Sequence, residues 1–279
     1  MVESIGWRQQ LQQELPAAVL TAVAFFALSA STTLFSWQTD NVSSLRMGGA
    51  LLLGVMLRRR PRAIQAGLYL LLGVIAMTIV QAVAGRAWPT AVQLSAARLL
   101  ELGIAYALLR GLGEDGSALQ ELPKLGRLML ITVFIAPLVG VSLGAWIAHR
   151  NLGADYLDAA KAWWVGNAFG MVVLLPLVLA ATRERLARLL TPRRRRELAL
   201  IAVLTILVCV CSVLWTSDPF VLILLPLLLA AFRLGVLGTT LLGFMASLTV
   251  LLLGRYPLLH SGSLMTYGSE RLSFTEIAF

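Results

Sequence analysis

The chain has 279 residues, of which 58% are hydrophobic and 13% are charged, and its formal net charge is +9. Soluble domains carry about 25% charged residues, and the apolar residues of this chain stand in long runs. Because a bilayer-spanning helix needs about 20 mostly apolar residues, this pattern excludes a pair of soluble domains and indicates one integral-membrane domain.

The apolar runs predict an all-α fold, a polytopic transmembrane helical bundle with about nine crossings and the start of a tenth. In chain order the runs are 16–37, 45–57, 63–84, 92–110, 125–148, 160–181, 197–215, 219–233 and 235–254. The runs 45–57 and 219–233 are short for a full crossing, so each is tilted, extended by snorkelling arginines or partly re-entrant. We expect the first run to be a retained helix rather than a signal peptide.

The basic residues lie between the runs and set the predicted orientation. If the N-terminus is inside and every run crosses, sixteen Lys and Arg residues lie at cytoplasmic ends and six at outer ends. The largest blocks, at 58–62 and 193–196, both fall inside. Since positively charged loops stay in the cytoplasm, we predict a multi-pass membrane protein with a cytoplasmic N-terminus. The lipid bilayer, not nucleic acid, is the expected partner of this charge.

The end of the sequence adds an expectation about domain organisation. After the ninth run, a polar loop over residues 256–270 is followed by RLSFTEIAF, which begins a helical pattern. Nine crossings leave the chain outside, so a tenth helix is needed to return it to the cytoplasm. We therefore expect residues 1–279 to form a single membrane domain that is a fragment of a longer protein.

Ionisable residues inside the fourth run are the main candidates for function. Arg98 and Glu101 are three residues apart, which places both on one helix face, and Arg98 is predicted to lie about 9 Å deep. Charged residues inside a membrane are costly and indicate a functional site, although a buried ion pair can also serve packing alone.

Two further polar residues, Arg46 and Asn167, fall at similar depth. With Arg98 and Glu101 they are predicted to line a cavity that is open to the outside. Its net positive charge suits an anionic small ligand or a lipid head group. For Arg46, a snorkelling side chain is the alternative.

Trp163 and Trp164 precede Asn167 in the sixth run. Tryptophan favours the membrane–water boundary, and this aromatic pair is also a candidate ligand contact.

Small residues recur in two consecutive predicted helices. GVSLG contains Gly140 and Gly144, and GNAFG contains Gly166 and Gly170. Because small-xxx-small faces let membrane helices approach closely, we predict a tight hairpin of the fifth and sixth helices.

Signatures of enzymes are missing from the sequence. The two histidines are far apart, the two cysteines point to different sides of a helix, and neither a phosphate-binding glycine loop with lysine nor G-x-S-x-G is found. We therefore predict no catalytic residues, no metal site and no cofactor in this chain.

Several stretches resemble the bacterial membrane-associated sensor domains, MASE type 1. DAAKAWWVGNAFGMVVLLPLVLA is similar to the sixth-helix region of that family, and RLLELGIAYALLRG to its fourth helix. LILLPLLLAAFRLGVLGTTLLGF is similar to a later region with an Arg–x–Gly turn at Arg233 and Gly235, and ERLSFTEIAF to the start of the last helix. The chain departs from the expected pattern at Arg98, where Asn is expected, and at Asn167, where Asp is expected.

The resemblance implies a sensory input module of a bacterial inner-membrane protein, which lacks its C-terminal cytoplasmic output module and is not itself an enzyme. Such domains precede diguanylate cyclase, phosphodiesterase or histidine kinase modules, which implies cyclic di-GMP or two-component signalling and a homodimer of the full-length protein. A small-molecule transporter or carrier component is the first alternative, for which an internal repeat is expected but not found. The second is a lipid-modifying membrane enzyme, which would need the missing nucleophile or metal set.

Overall fold

A computed structural model describes residues 3–36, 47–111, 121–215 and 219–253. Every regular element in this part of the chain is a helix, so the all-α prediction is confirmed. Two predictions lie outside the described residues: the role of Arg46 and the start of a tenth helix at 271–279.

The chain divides into two compact units, one up to Leu179 and one from Ala180. In chain order the helices are α1 (Glu3–Ser36), α2 (Met47–Arg59), α3 (Ala63–Val83), α4 (Trp88–Leu109), α5 (Leu122–Met129), a π segment (Leu130–Ile135), α6 (Ala136–Leu152), α7 (Tyr156–Ala180), α8 (Arg183–Leu189), α9 (Pro192–Trp215) and α10 (Pro219–Leu253).

Six stretches of the described chain are long and apolar enough to cross a membrane. They are Leu11–Thr33, Ala63–Val83, Trp88–Leu109, Leu122–Leu152, Tyr156–Ala180 and Leu222–Thr249. The multi-pass membrane character is therefore supported, but the predicted count of nine crossings is not confirmed.

Two of the nine predicted runs have no counterpart among the six stretches, and two runs share one stretch. The second run forms α2, whose 13 residues extend about 20 Å, short of a hydrocarbon core of about 30 Å. The seventh run lies in α9, which is not among the six stretches of the described residues. The eighth and ninth runs form the two parts of α10, which are separated at Gly235 with φ 69° and ψ −169°. Glycine adopts positive φ without steric penalty, so the chain breaks the helix at the glycine of the predicted Arg–x–Gly turn.

Within the first unit, contacts between helix ends place several basic residues at one end of the bundle. The contacts are Tyr106 Oη to Pro61 O (2.7 Å), Arg127 Nη2 to Leu108 O (3.3 Å) and Arg58 Nη1 to Val178 O (3.1 Å). The end of α2, the end of α4, the start of α5 and the end of α7 therefore meet, as the charge pattern requires. We call this the basic end; its cytoplasmic location stays a prediction.

A second set of contacts at the basic end ties α1 to α2 and α3. Arg59 Nε donates to Glu14 Oε2 at 3.0 Å, and Tyr69 Oη donates to the same oxygen at 3.0 Å. We call these three residues the clasp. Since Glu14 of α1 meets the end of α2 while Gly48 at the start of α2 faces Ser29, α1 and α2 run antiparallel.

The fourth helix is more enclosed than α1 and α3. In its most apolar stretch 56% of the residues are buried, against 22% for α1 and 33% for α3. It packs against α2, α3 and α6. Its buried polar side chains, which are Thr90, Ser95, Arg98 and Glu101, therefore face protein rather than lipid.

The second unit contains α8, α9 and α10. α9 packs along α10, with Cys209, Ile223 and Ala246 forming a buried cluster. Cys209 is buried and Cys211 is partly exposed, and both are free thiols. Their different environments agree with the prediction that they point to different sides of one helix.

Candidate functional site: a buried polar cluster and an adjoining cleft

Arg98 and Glu101 form an ion pair on α4. Arg98 Nη1 lies 3.6 Å from Glu101 Oε2, and the two residues are 3% and 1% exposed. Arg98 is ten residues into α4, about 15 Å along a helix of about 33 Å. The pair therefore lies near the middle of the helix, and its depth in the membrane stays a prediction.

The opposite side of the Glu101 carboxylate is held by α7. Asn167 Nδ2 donates to Glu101 Oε1 at 2.5 Å, and Trp163 Nε1 donates to Glu101 Oε2 at 3.3 Å. Asn167 is 0% and Trp163 is 4% exposed. Because these two residues are four apart, they share one face of α7. We call Arg98, Glu101, Asn167 and Trp163 the buried polar cluster.

The third wall of the buried polar cluster comes from α6. Gly140 faces the Glu101 carboxylate, and Gly144 faces the Trp163 ring. A Cβ atom at either position would overlap the group that it faces. These two glycines therefore make room for the acid and the indole, a role that the small-xxx-small pattern did not reveal.

α6 and α7 also meet through alanines. Ala145 and Ala148 of α6 form a buried cluster with Ala159 of α7. The role of Gly166 and Gly170 in close helix packing stays a prediction.

The second tryptophan of α7 is anchored to a different element. Trp164 Nε1 donates to the Val133 carbonyl of the π segment at 2.7 Å, and its ring lies 5.9 Å from that of Phe134. π turns shift the backbone bonding to i→i+5 and are frequent at functional sites. The adjacent indoles thus fix α7 to α4 and to the π segment. Both N–H groups, predicted as ligand contacts, donate to protein acceptors.

The charge of the buried polar cluster differs from the prediction. Its described residues contribute one positive and one negative charge, so a positive excess would depend on Arg46, which is outside the described residues. Among the described residues no hydrogen-bond partner is found for the buried Asn167 Oδ1. The two charges of the buried polar cluster are therefore paired with each other, and Asn167 Oδ1 is an acceptor without a hydrogen-bond partner among the described residues.

A small cleft adjoins Arg98 on the side away from α7. It encloses about 20 Å³, which is room for about one water molecule. Its polar lining consists of Ser29, Thr32 and Thr33 of α1, Gly48 and Gly49 of α2, and Arg98. Of these described lining residues, Arg98 alone belongs to the predicted ligand set.

The hydroxyl groups of α1 were missed by sequence reasoning, although they are visible as SASTT within an apolar run. Such residues also occur at ordinary packing faces of membrane helices, so the motif alone does not indicate a site. The glycines of α2 complete the arrangement. A Cβ at Gly49 would lie 2.7 Å from Arg98 Nη2, and one at Gly48 would overlap Ser29 Oγ.

Comparison with known proteins gives one match. No curated protein and no solved structure matches the chain. The model of the MASE1 family matches residues 13–266, which is most of the chain and includes the whole buried polar cluster and the cleft. The chain therefore belongs to the MASE1 family, a family of membrane sensor input domains.

Proposed function

We propose that this chain is the sensory input domain of a bacterial inner-membrane signalling protein. It senses a small molecule, a lipid or a membrane state and relays the signal to a cytoplasmic diguanylate cyclase, phosphodiesterase or histidine kinase. Membership of the MASE1 family supports the sensory role. The output modules are those that the sequence resemblance implies.

The observation that carries the proposal is the hydrogen bonding of Glu101 on α4 to Asn167 and Trp163 on α7. Removing an ion pair from water costs several kcal/mol per ion, so Arg98 and Glu101 are a poor means of stabilising a bundle. Ionisable residues at this depth are characteristic of functional sites in membrane proteins.

The same contacts are suited to switching. Hydrogen bonds between membrane helices contribute on average only about 0.6 kcal/mol, because alternative partners are available. Two arrangements of α4 and α7 that differ in the partners of Glu101 therefore lie close in free energy. A signal that favours one arrangement shifts the population toward it.

The path out of the site begins at α7. This helix is the last of the first unit and ends at Ala180. A shift of α7 that follows a change at Glu101 is passed along the backbone to the rest of the chain.

The test joins the chain to a diguanylate cyclase module through an added helix that completes the predicted tenth crossing, and it measures cyclic di-GMP in cells. Asn167→Leu removes the amide that bonds to Glu101 and is expected to change output about fivefold or more, the usual size of allosteric coupling. Arg150→Gln is the matched control, because Arg150 lies over the Trp146 ring and contacts none of the cluster. Membrane levels are compared by immunoblot. Equal output from all three proteins at equal levels contradicts the proposal.

A further inference from the structure

Arg98 faces two different environments. Its Nη1 lies 3.6 Å from Glu101 Oε2. Its Nη2 is the nearest atom to the place where Gly49 would carry a Cβ, on the side where Arg98 lines the cleft. One buried cation thus lies between a carboxylate of the same helix and a polar cleft between α1 and α2.

The cleft offers donors that suit an oxyanion. The Thr32 hydroxyl donates to the Ser29 carbonyl, which leaves the Ser29 and Thr33 hydroxyls as the candidate donors, and hydroxyl groups donate readily to anionic oxygens. Gly48 packs against Ser29 and Gly49 against Arg98, so the first described turn of α2 lies beside both of these groups. The N-terminal part of a helix carries a partial positive charge that favours anions.

We propose that this cleft binds a small oxyanion, a phosphate or carboxylate group, through Arg98, Ser29 and Thr33, and that Glu101 competes with the anion for Arg98. This inference names the class of ligand that the proposed sensor binds, and its biological role rests on the proposed function. Binding itself is measured without any output module, so either proposal can fail alone.

The size of the cleft supports competition. A volume of about 20 Å³ holds about one water molecule and is too small for a phosphate group. Binding therefore requires the cleft to widen, and it draws Arg98 from Glu101 toward the anion. That movement also leaves Glu101 with its α7 partners, Asn167 and Trp163.

The charges around Glu101 also support competition between Glu101 and the anion for Arg98. Of the described residues that contact Glu101, α6 contributes Gly140 and α7 contributes Asn167 and Trp163, none of which is charged. An anion beside Arg98 therefore shares one cation with Glu101, and like charges repel strongly in a medium of low dielectric constant. Replacing Glu101 by the neutral, equally large glutamine removes the competitor.

The experiment uses the chain in phosphatidylcholine nanodiscs and follows the thermal unfolding midpoint against inorganic phosphate, and separately acetate, at constant ionic strength. A ligand of the folded state raises this midpoint. We expect Glu101→Gln to bind at least about tenfold more tightly than the wild type. Arg98→Gln is expected to lose the response, and Ser29→Ala with Thr33→Val to weaken it severalfold.

The control is Thr21→Val, because Thr21 is a buried hydroxyl of the same helix that donates to Ala17 O outside the cleft. It is expected to respond like the wild type. If Arg98→Gln does not fold, the Glu101 and hydroxyl variants decide the outcome.

Nanodiscs that contain phosphatidylglycerol distinguish the source of the anion. If a lipid phosphate occupies the cleft, these discs stabilise Glu101→Gln more than the wild type and remove the response to free phosphate. If the natural ligand is soluble, the response to free phosphate persists in them. The proposal is overturned if Glu101→Gln gains no affinity for phosphate, acetate or anionic lipid, or if the cleft variants respond like Thr21→Val.

Discussion

The first unit contains two ion pairs that differ in almost every physical respect. The Arg98–Glu101 side chains of the buried polar cluster are 4% and 1% exposed, whereas those of Arg59 and Glu14 in the clasp are 44% and 21% exposed. The first pair is formed within one helix and is bonded to α7. The second joins separate helices at the basic end.

The comparison teaches that the surroundings of an ion pair determine what it does. Breaking a buried pair costs about 3–5 kcal/mol because one charge is left without a partner. An exposed pair contributes about 0–1 kcal/mol. The clasp therefore helps to position helix ends, while the buried polar cluster is sensitive to any change in its partners.

The largest expected loss of stability comes from a single substitution in the buried ion pair. Arg98→Met leaves the Glu101 carboxylate buried without its cation and is expected to lower the free energy of unfolding by about 3–5 kcal/mol. Adding Glu101→Met is expected to recover most of this loss, since an apolar pair replaces the charged one. Unfolding in mixed micelles measures both. The account is contradicted if the double variant loses as much unfolding free energy as the Arg98→Met and Glu101→Met single variants lose together.

The glycines of α6 allow the packing around the buried polar cluster to be tested. Gly140→Ala places a methyl group against the Glu101 carboxylate and is expected to destabilise the domain by about 1–3 kcal/mol through overpacking. Gly67→Ala on α3 is the matched control, because no atom lies within 4 Å of its added Cβ. The same unfolding assay compares them. Equal stability of the two variants would show that α6 does not pack against Glu101 in this way.

The two indoles of α7 offer a comparison within one helix. Trp164→Phe removes the bond to the Val133 carbonyl and is expected to cost about 1 kcal/mol. Trp163→Phe is expected to cost more, because hydrogen bonds to charged groups are stronger than those to neutral groups. Unfolding free energies of the two variants decide the order, and the reverse order counts against a charged Glu101 acceptor.

The smallest effect is expected at the clasp. Glu14→Gln is expected to cost no more than about 1 kcal/mol. Salt screens exposed charges far more than buried ones, so this cost should shrink as ionic strength rises, while that of Arg98→Met should not. Unfolding at low and high salt tests the contrast. If the stability lost through Arg98→Met also shrinks as ionic strength rises, the Arg98–Glu101 pair is reached by water, which contradicts its description as buried.

Local features of this fold could be predicted from the sequence. Arg98 and Glu101 are three residues apart, so helix geometry alone brings them together, and the apolar runs identify most of the helices. Charge pattern also predicted that Arg58 and Arg127 lie at one end of the bundle, as the contacts show.

Features that depend on tertiary contacts could not be predicted. Asn167 is 66 residues from Glu101, and Glu14 is 45 residues from Arg59, so neither pairing has a local signal. Hydropathy shows neither that α2 has 13 described residues nor how the backbone turns at Gly235. The cleft needs α1, α2 and α4 together, and only its arginine is conspicuous in the sequence.

The most direct test of the central claim compares Glu101→Gln with Glu14→Gln in the chain joined to a diguanylate cyclase module. Both variants replace a paired carboxylate by its amide, one in the buried polar cluster and one in the clasp. At equal membrane levels, we expect Glu101→Gln to change cyclic di-GMP about fivefold or more and Glu14→Gln to leave it near the wild-type value. A large change from Glu14→Gln with none from Glu101→Gln would contradict the account.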